Sequence, residues 1–205
     1  MKTRRFGVRT ILLGLFATVL TGLGLTAGAG VASACGEPQH RSAAFAGTLP
    51  QVRFGQSGTV VQGLQLNLKN RGYGLTGTGY YGTRTLAAVQ DFQRKNGINP
   101  SGIVGSRTWQ ALVGSMSEAA TTKSHRPDFS VHPGERDRFK VGIVRDHIGR
   151  IYGYWDFDFT WYDPELRRQV QRFQKANGIR ASGIVGVKTW AAMTKVISIS
   201  GGWGC

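Results

Sequence analysis

A nearly identical stretch occurs twice in this chain, and it constrains the fold more than any other feature of the sequence. GINPSGIVGSRTW begins at Gly97, and GIRASGIVGVKTW begins at Gly178. Internal repetition of this kind indicates that one structural unit has been copied. A gapless alignment that pairs Gly97 with Gly178 extends the match back to Gly72 and Gly153. The chain is therefore predicted to contain two copies of one small unit.

Apolar residues recur three or four positions apart along the first copy, which is the spacing of a buried helix face. They predict three helices, with inner faces at Val61, Leu64 and Leu68, then Leu86, Val89 and Phe92, then Trp109, Leu112 and Val113. Between the second and third helices, PSGIVG predicts a turn in which Ile103 and Val104 both point inward. We expect Trp109 and its counterpart Trp190 to lie in the two cores.

The second copy departs from the first in its opening third. In the gapless alignment, Arg145 stands where the first copy has Leu64, and Gly149 stands where it has Leu68. Residues 141–151 still carry apolar side chains at helical spacing, but a strand through FKVGIV is the alternative. The first element of this copy is thus undecided between helix and strand, and the copy is interpreted as degenerate at its start.

The motifs of both copies resemble the bacterial peptidoglycan-binding domain of the small three-helix type. In the first copy the pattern is G-x-x-V-x-x-L-Q-x-x-L-x-x-x-G-Y from Gly58, then T-x-x-A-V-x-x-F-Q-x-x-x-G-I, and finally G-I-V-G-x-x-T-W ending at Trp109. The match is good over residues 55–113 and 162–193, and poor in the second copy before that. The resemblance implies binding to cell-wall glycan or peptide, often beside a catalytic domain of the same chain.

The resemblance and the repeat together predict a mainly α fold, with two small three-helix units joined by a linker. Since few residues lie outside the two copies, we expect no catalytic domain beside them. The predicted segments are a signal peptide (1–34), an N-terminal extension (35–53), a first domain (54–114), a linker (115–139), a second, divergent domain (140–197) and a C-terminal tail (198–205).

The start of the chain, up to Ala34, has the three-part pattern of a secretory signal peptide. Basic residues precede an apolar run, which ends at the small-residue cleavage site Ala32-Ser33-Ala34. A retained membrane anchor is the alternative, but no cluster of basic residues follows the run. We therefore expect a secreted, cell-wall-associated protein without stable membrane insertion.

The net charge of the chain favours an anionic partner. Four basic residues and no acidic one lie in the leader, so the exported part would keep +11 of the +15 charge. A cation of this size outside the cytoplasm suggests peptidoglycan or another anionic wall polymer, and export argues against nucleic acid. The resemblance adds a wall hydrolase as a further expected partner.

Cys35 and Cys205 are the only cysteines, and each would stand at one end of the exported chain. In an oxidising compartment, they are predicted to form a disulfide that joins the two ends. The alternative is lipidation of Cys35, although Ala32 occupies the position where a lipobox has Leu, Val or Ile.

The sequence carries no recognisable catalytic motif. The four histidines form no H-E-x-x-H, and no G-x-S-x-G occurs. His125, Asp128, His132 and Glu135 could hold a metal, but a solvated polar linker is the simpler interpretation. We expect no catalytic residues, no metal and no cofactor. The alternatives are a cell-wall hydrolase, an accessory factor of one, or a secreted interaction protein that reuses the fold.

Seven aromatic residues lie between Tyr152 and Tyr162, and four of them alternate with polar residues, as in a strand with one aromatic face. They could form a platform on which sugar rings stack, or they could fill the second core. For ligand contacts we predict aromatic and basic residues at the start of the second helix of each copy. These are Tyr80, Tyr81, Arg84, Trp161 and Tyr162.

Overall fold

The computed structural model describes residues 40–122, 126–155 and 160–204, and these residues are mainly helical, which confirms the predicted fold class. The helix α4 continues directly as a π-helical turn, Gln110–Gly114. The α-helices of the described ranges are α1 (His40–Gly47), α2 (Thr59–Asn70), α3 (Thr83–Lys95), α4 (Ser106–Trp109), α5 (Glu118–Thr121), α6 (Arg138–Tyr152), α7 (Pro164–Ala176) and α8 (Val187–Ser200).

Helices α2, α3 and α4 surround the core of the first copy. Leu64 and Leu68 of α2 pack with Val89 of α3 and Trp109 of α4, and all four side chains are fully buried. The indole N–H of Trp109 donates to the carbonyl of Pro50 at 2.9 Å, which satisfies the one polar atom of that side chain. The predicted core position of Trp109 is confirmed.

The segment that enters the second copy repeats the one that enters the first, but in a different register from the gapless alignment. The indole N–H of Trp190, itself fully buried, donates to the carbonyl of Phe129 at 2.7 Å, so Phe129 takes the place of Pro50. Val131 pairs with Val185 in an isolated bridge, as Val52 pairs with Val104 in the first copy. Phe129 and Val131, which lie in the segment predicted as linker, therefore pack against the core of the second copy.

The first element of the second copy is a helix, α6, and its register also differs from the gapless alignment. Val144 and Ile148 are fully buried and take the places of Leu64 and Leu68, one position earlier than that alignment would put them. The gapless alignment places Arg145 in this apolar row instead. The apparent degeneracy of the helix thus comes from a shift in register, since one extra residue precedes the buried part of α6 and another follows it.

The two copies pack directly against each other, mainly through α2 of the first and α8 of the second. Leu66 of α2 is buried in the core of the second copy, and Ile199 of α8 is buried in the core of the first. A Cβ on Gly63 would lie 2.7 Å from that of Ile199, so glycine permits this close approach. Asn67 donates to the carbonyl of Ile199 at 2.7 Å. Because the cores exchange side chains, the two units form one packed body.

The segments predicted as extension and tail also pack against the copies. Ala46 of α1 is buried in the first core. Helix α8 continues to Ser200, beyond the predicted end of the second domain, and Trp203 packs against the second core. Both segments therefore contribute contacts to the cores of the protein.

Candidate functional site

Tyr81 and Tyr162, two of the predicted ligand contacts, are buried. Their side chains are 0% and 1% exposed, and each phenol O–H donates at 2.6 Å to a backbone carbonyl, that of Gly102 and Gly183 respectively. Burial raises the pKa of both phenols above the ordinary value for tyrosine. A side chain enclosed in its own core offers no surface to a polymer. These two residues are therefore corrected from ligand contacts to structural supports.

A buried glutamine completes the same support in each copy. The amide of Gln93 donates to the carbonyl of Ile103 at 2.9 Å, and its oxygen accepts from the N–H of Gly102 at 2.9 Å. Gln174 makes the equivalent bonds in the second copy at 2.8 and 2.9 Å. Because a buried polar atom without a partner is costly, these bonds hold the turn before the third helix in one conformation.

The support leaves one aromatic residue and one isoleucine exposed in each copy. Tyr80 is 51% exposed and Ile103 is 38% exposed, and they are named face 1. Trp161 and Ile184, at 36% and 37%, are named face 2. The sequence prediction placed both apolar residues of each turn inside, but only the valine after each isoleucine is buried. The turn is locally extended, so its residues alternate, and this period of two was the signal that could have identified the isoleucines.

The charged residues that accompany the two faces are not the same. Arg84, predicted as a ligand contact, is exposed after face 1 and has no acidic partner within 4.0 Å among the described residues. Its counterpart in the second copy is Glu165, which forms an ion pair with Arg168. Arg107 and Lys188, at equivalent positions, are both exposed cations. Each copy therefore carries an exposed cation at this equivalent position, and the first copy carries a second one, Arg84.

The aromatic stretch before α7 divides between core and surface. Tyr162 is core and Tyr152 is half-buried, whereas Trp155 is 53% exposed and Trp161 is 36% exposed. Residues 156–159 lie outside the described residues, so the predicted alternation through them stays a prediction. Neither a pure core role nor a pure platform role fits the stretch as a whole.

Other predicted sites fall partly or wholly outside the described residues. Cys35 and Cys205 both lie outside them, so the disulfide between these cysteines stays a prediction. His125, of the histidine and carboxylate cluster, also lies outside the described residues. Within the described ranges, no group of three or more His, Cys, Asp or Glu residues is arranged to hold a metal ion. In the same part of the chain, none of the helices combines the length and the apolar character needed to span a membrane.

Comparison with protein families identifies both copies. The family described as "Putative peptidoglycan binding domain" matches residues 57–112 and again residues 150–193. The second match leaves out most of α6, the helix whose register differs from that of α2. The tandem repeat found in the sequence is thus confirmed at the level of the family.

Three curated relatives extend this result. "Uncharacterized protein in bpoA1 3'region" of Kitasatospora aureofaciens is 41% identical over 108 residues, which are 51% of this chain and 91% of that protein. "Probable N-acetylmuramoyl-L-alanine amidase" of Bacillus licheniformis is 30% identical over 159 residues, and "N-acetylmuramoyl-L-alanine amidase CwlL" of the same organism is 27% identical over 167. Each covers 71% of this chain, which spans 45% and 46% of the two amidases. The chain thus spans less than half the length of either amidase.

Proposed function

This chain belongs to the peptidoglycan-binding domain family, and on that basis we propose that it is a secreted, non-catalytic protein that binds bacterial cell-wall peptidoglycan through face 1 and face 2. The observation that carries the proposal is that an aromatic residue and an isoleucine are exposed at equivalent positions in both copies. Identical buried hydrogen bonds support them in each copy. Exposed aromatic rings suit the apolar faces of sugars.

Two faces on one body would strengthen attachment to a repeating polymer. Once the first face is bound, the second meets its ligand at a high effective concentration, so the combined affinity exceeds that of either face. The direct packing of α2 against α8 fixes the distance between the faces, so no linker entropy is lost on the second contact. The charge of +11 that the exported part would keep adds long-range attraction to an anionic wall.

An accessory role beside a wall hydrolase is the second candidate function. It is favoured by the two relatives named as amidases, whose match to this chain is longer than either family match. On this proposal, the copies would bring a hydrolase and the wall together.

Sedimentation with purified sacculi tests the proposal. We expect the protein to sediment with sacculi at physiological salt and to leave no clearing zone in a gel that contains cell wall. A clearing zone that persists through repurification would contradict the non-catalytic role and favour a hydrolase. Failure to sediment would contradict wall binding and favour a secreted interaction protein.

A further inference from the structure

A cleft of about 270 Å³ lies where the two copies meet. Its lining comes from the C-terminal ends of α2 and α6, from Trp155, and from the end of α8. Because α2 belongs to the first copy and the other elements to the second, neither copy could form this cleft alone. Its volume falls just below the roughly 300–1,000 Å³ typical of pockets for drug-sized ligands, so it suits a single sugar unit.

Trp155 forms an aromatic wall of the cleft. Its indole lies against the Cα of Gly149, where an added Cβ would come within 2.6 Å of the ring carbon Cε3. Glycine at this position therefore leaves the space that the indole occupies, and this space is called the seat of Trp155. In the register that matches Val144 with Leu64, the counterpart of Gly149 on α2 is Lys69, so the seat is peculiar to the second copy. Trp155 as a residue is 53% exposed, so its indole can accept a ring stacked on it.

The charge of the cleft is positive. Lys69 lines it, is exposed, and has no carboxylate within 4.0 Å in the part of the chain that the structure describes. Arg150 lines it too, but its guanidinium is held by Asp146 at 2.9 Å and by the carbonyl of Gly202 at 2.7 Å. No Asp or Glu is among the described lining residues. Lys69 is thus the cation of the cleft that remains available to a ligand.

We propose that this cleft is a separate binding site for a sugar ring that carries a carboxylate, with the ring stacked on Trp155 and the carboxylate bound by Lys69. The inference rests on the proposed function in that peptidoglycan supplies such a sugar, N-acetylmuramic acid, whose lactyl group bears the carboxylate. It goes beyond face 1 and face 2, because the cleft exists only where the copies pack together.

Three soluble probes separate the parts of this proposal. N-acetylmuramic acid has the ring and the carboxylate, N-acetylglucosamine has the ring alone, and lactate has the carboxylate alone. The readout is the indole N–H resonance of Trp155 in an NMR titration, assigned by its loss in Trp155→Phe. We expect N-acetylmuramic acid to shift it at the lowest concentration. Lys69→Gln should weaken that binding about tenfold, since the variant loses the charge of the hydrogen bond to the carboxylate.

Gly149→Ala provides a second, independent variant, because its methyl group would displace the indole. It should abolish the response of Trp155, while unchanged resonances of Trp109 and Trp190 show that both cores remain folded. Equal responses to N-acetylmuramic acid and N-acetylglucosamine, or no loss in Lys69→Gln, would overturn the carboxylate site. If the protein sediments with sacculi but Trp155 never responds, the cleft proposal fails and the proposed function stands. If sedimentation fails and Trp155 still responds, the cleft is a sugar-acid site and wall attachment is refuted.

Discussion

The two copies satisfy an equivalent backbone carbonyl with different chemistry. In the first copy, the amide of Gln65 donates to the carbonyl of Tyr80 at 2.8 Å. In the second, the equivalent residue is Arg145, whose guanidinium lies 3.4 Å from the carbonyl of Trp161 and forms an ion pair with Asp163. Gln65 and Arg145 are both almost fully buried, at 3% and 4% exposure. The position just before the buried tyrosine is thus anchored in both copies, by a neutral network in one and by an ion pair in the other.

This difference also explains how α3 and α7 begin. Asp163 is the N-cap of α7, where its carboxylate accepts from the N–H of Leu166 at 2.7 Å. The N-cap of α3 is Gly82, which has no side chain to offer. The second copy therefore concentrates helix capping and charge compensation in one carboxylate, whereas the first distributes its hydrogen bonds over neutral groups. The two copies keep the same fold, but the loss of one side chain is expected to destabilise them to different extents.

The largest expected effect is the loss of the anion in the second copy. Asp163→Asn keeps the shape of the side chain but leaves the buried guanidinium of Arg145 without this carboxylate. Removing one partner of a buried ion pair costs about 3–5 kcal/mol, and since Asp163 is 17% exposed we expect about 3 kcal/mol. Urea unfolding at neutral pH measures it.

The matched control in the first copy is Gln65→Ala, which removes neutral hydrogen bonds and should cost about 1–3 kcal/mol. A greater loss of stability in Gln65→Ala than in Asp163→Asn would contradict a larger contribution of the ion pair between Arg145 and Asp163.

A smaller effect follows from acid titration. Burial alone would raise the pKa of Asp163, but the N–H of Leu166 and the guanidinium of Arg145 outweigh it and hold the pKa below its usual value. The unfolded chain therefore binds this proton first, at about pH 4. The stability supplied by Asp163 is complete above that pH and is lost as the pH falls through the lower, folded pKa.

Unfolding of the parent protein and Asp163→Asn across this range measures the effect. The difference in the free energy of unfolding between the two proteins, here called the stability gap, should be constant near neutrality and should narrow below about pH 4. The gap between the parent and Gln65→Ala should not change, since that network has no carboxylate. A gap for Asp163→Asn that widens on acidification would contradict the account.

The smallest expected effect concerns the contact between the copies. Gly63→Ala would place a Cβ 2.7 Å from that of Ile199, a branch point that cannot move aside like the end of a flexible chain. Overpacking costs about 1–3 kcal/mol, and better helix propensity offsets up to about 1 kcal/mol, so we expect a net loss on the order of 1 kcal/mol. Calorimetry should show a single unfolding transition for both copies, at a lower melting temperature than that of the parent protein.

Gly74→Ala is the matched control, because no atom lies within 4 Å of a Cβ built there. Two separate transitions in the parent protein would show that the copies unfold independently, and would contradict the single packed body.

The sequence predicted what repeats locally, and it failed where register or long-range packing decided the structure. The period of the apolar residues was enough to place Trp109 and Trp190 in their cores. A gapless alignment could not find the two single-residue shifts around α6, so Arg145 was compared with Leu64 instead of with Gln65. Once the register is corrected, the two buried polar residues occupy the same place.

Packing between the copies was also beyond the sequence pattern. Leu66 and Ile199 are apolar residues that could have been buried in the core of their own copy. The local sequence pattern does not show that each is buried in the other core. Tyr80 and Tyr81 posed a similar problem, since adjacent residues in an extended segment face opposite sides and composition does not show which is buried. The hydrogen bond from Tyr81 to Gly102 decides this, and it depends on the fold.

Binding of sacculi by variants of the two faces tests the central claim most directly. Tyr80→Ala and Trp161→Ala each remove the exposed aromatic ring of one face, and the double variant removes both. We expect each single variant to weaken sedimentation about tenfold and the double variant to lose nearly all of it, because two linked contacts combine multiplicatively. The melting temperatures should remain close to that of the parent. Full binding by the double variant, with the fold intact, would contradict wall recognition through face 1 and face 2.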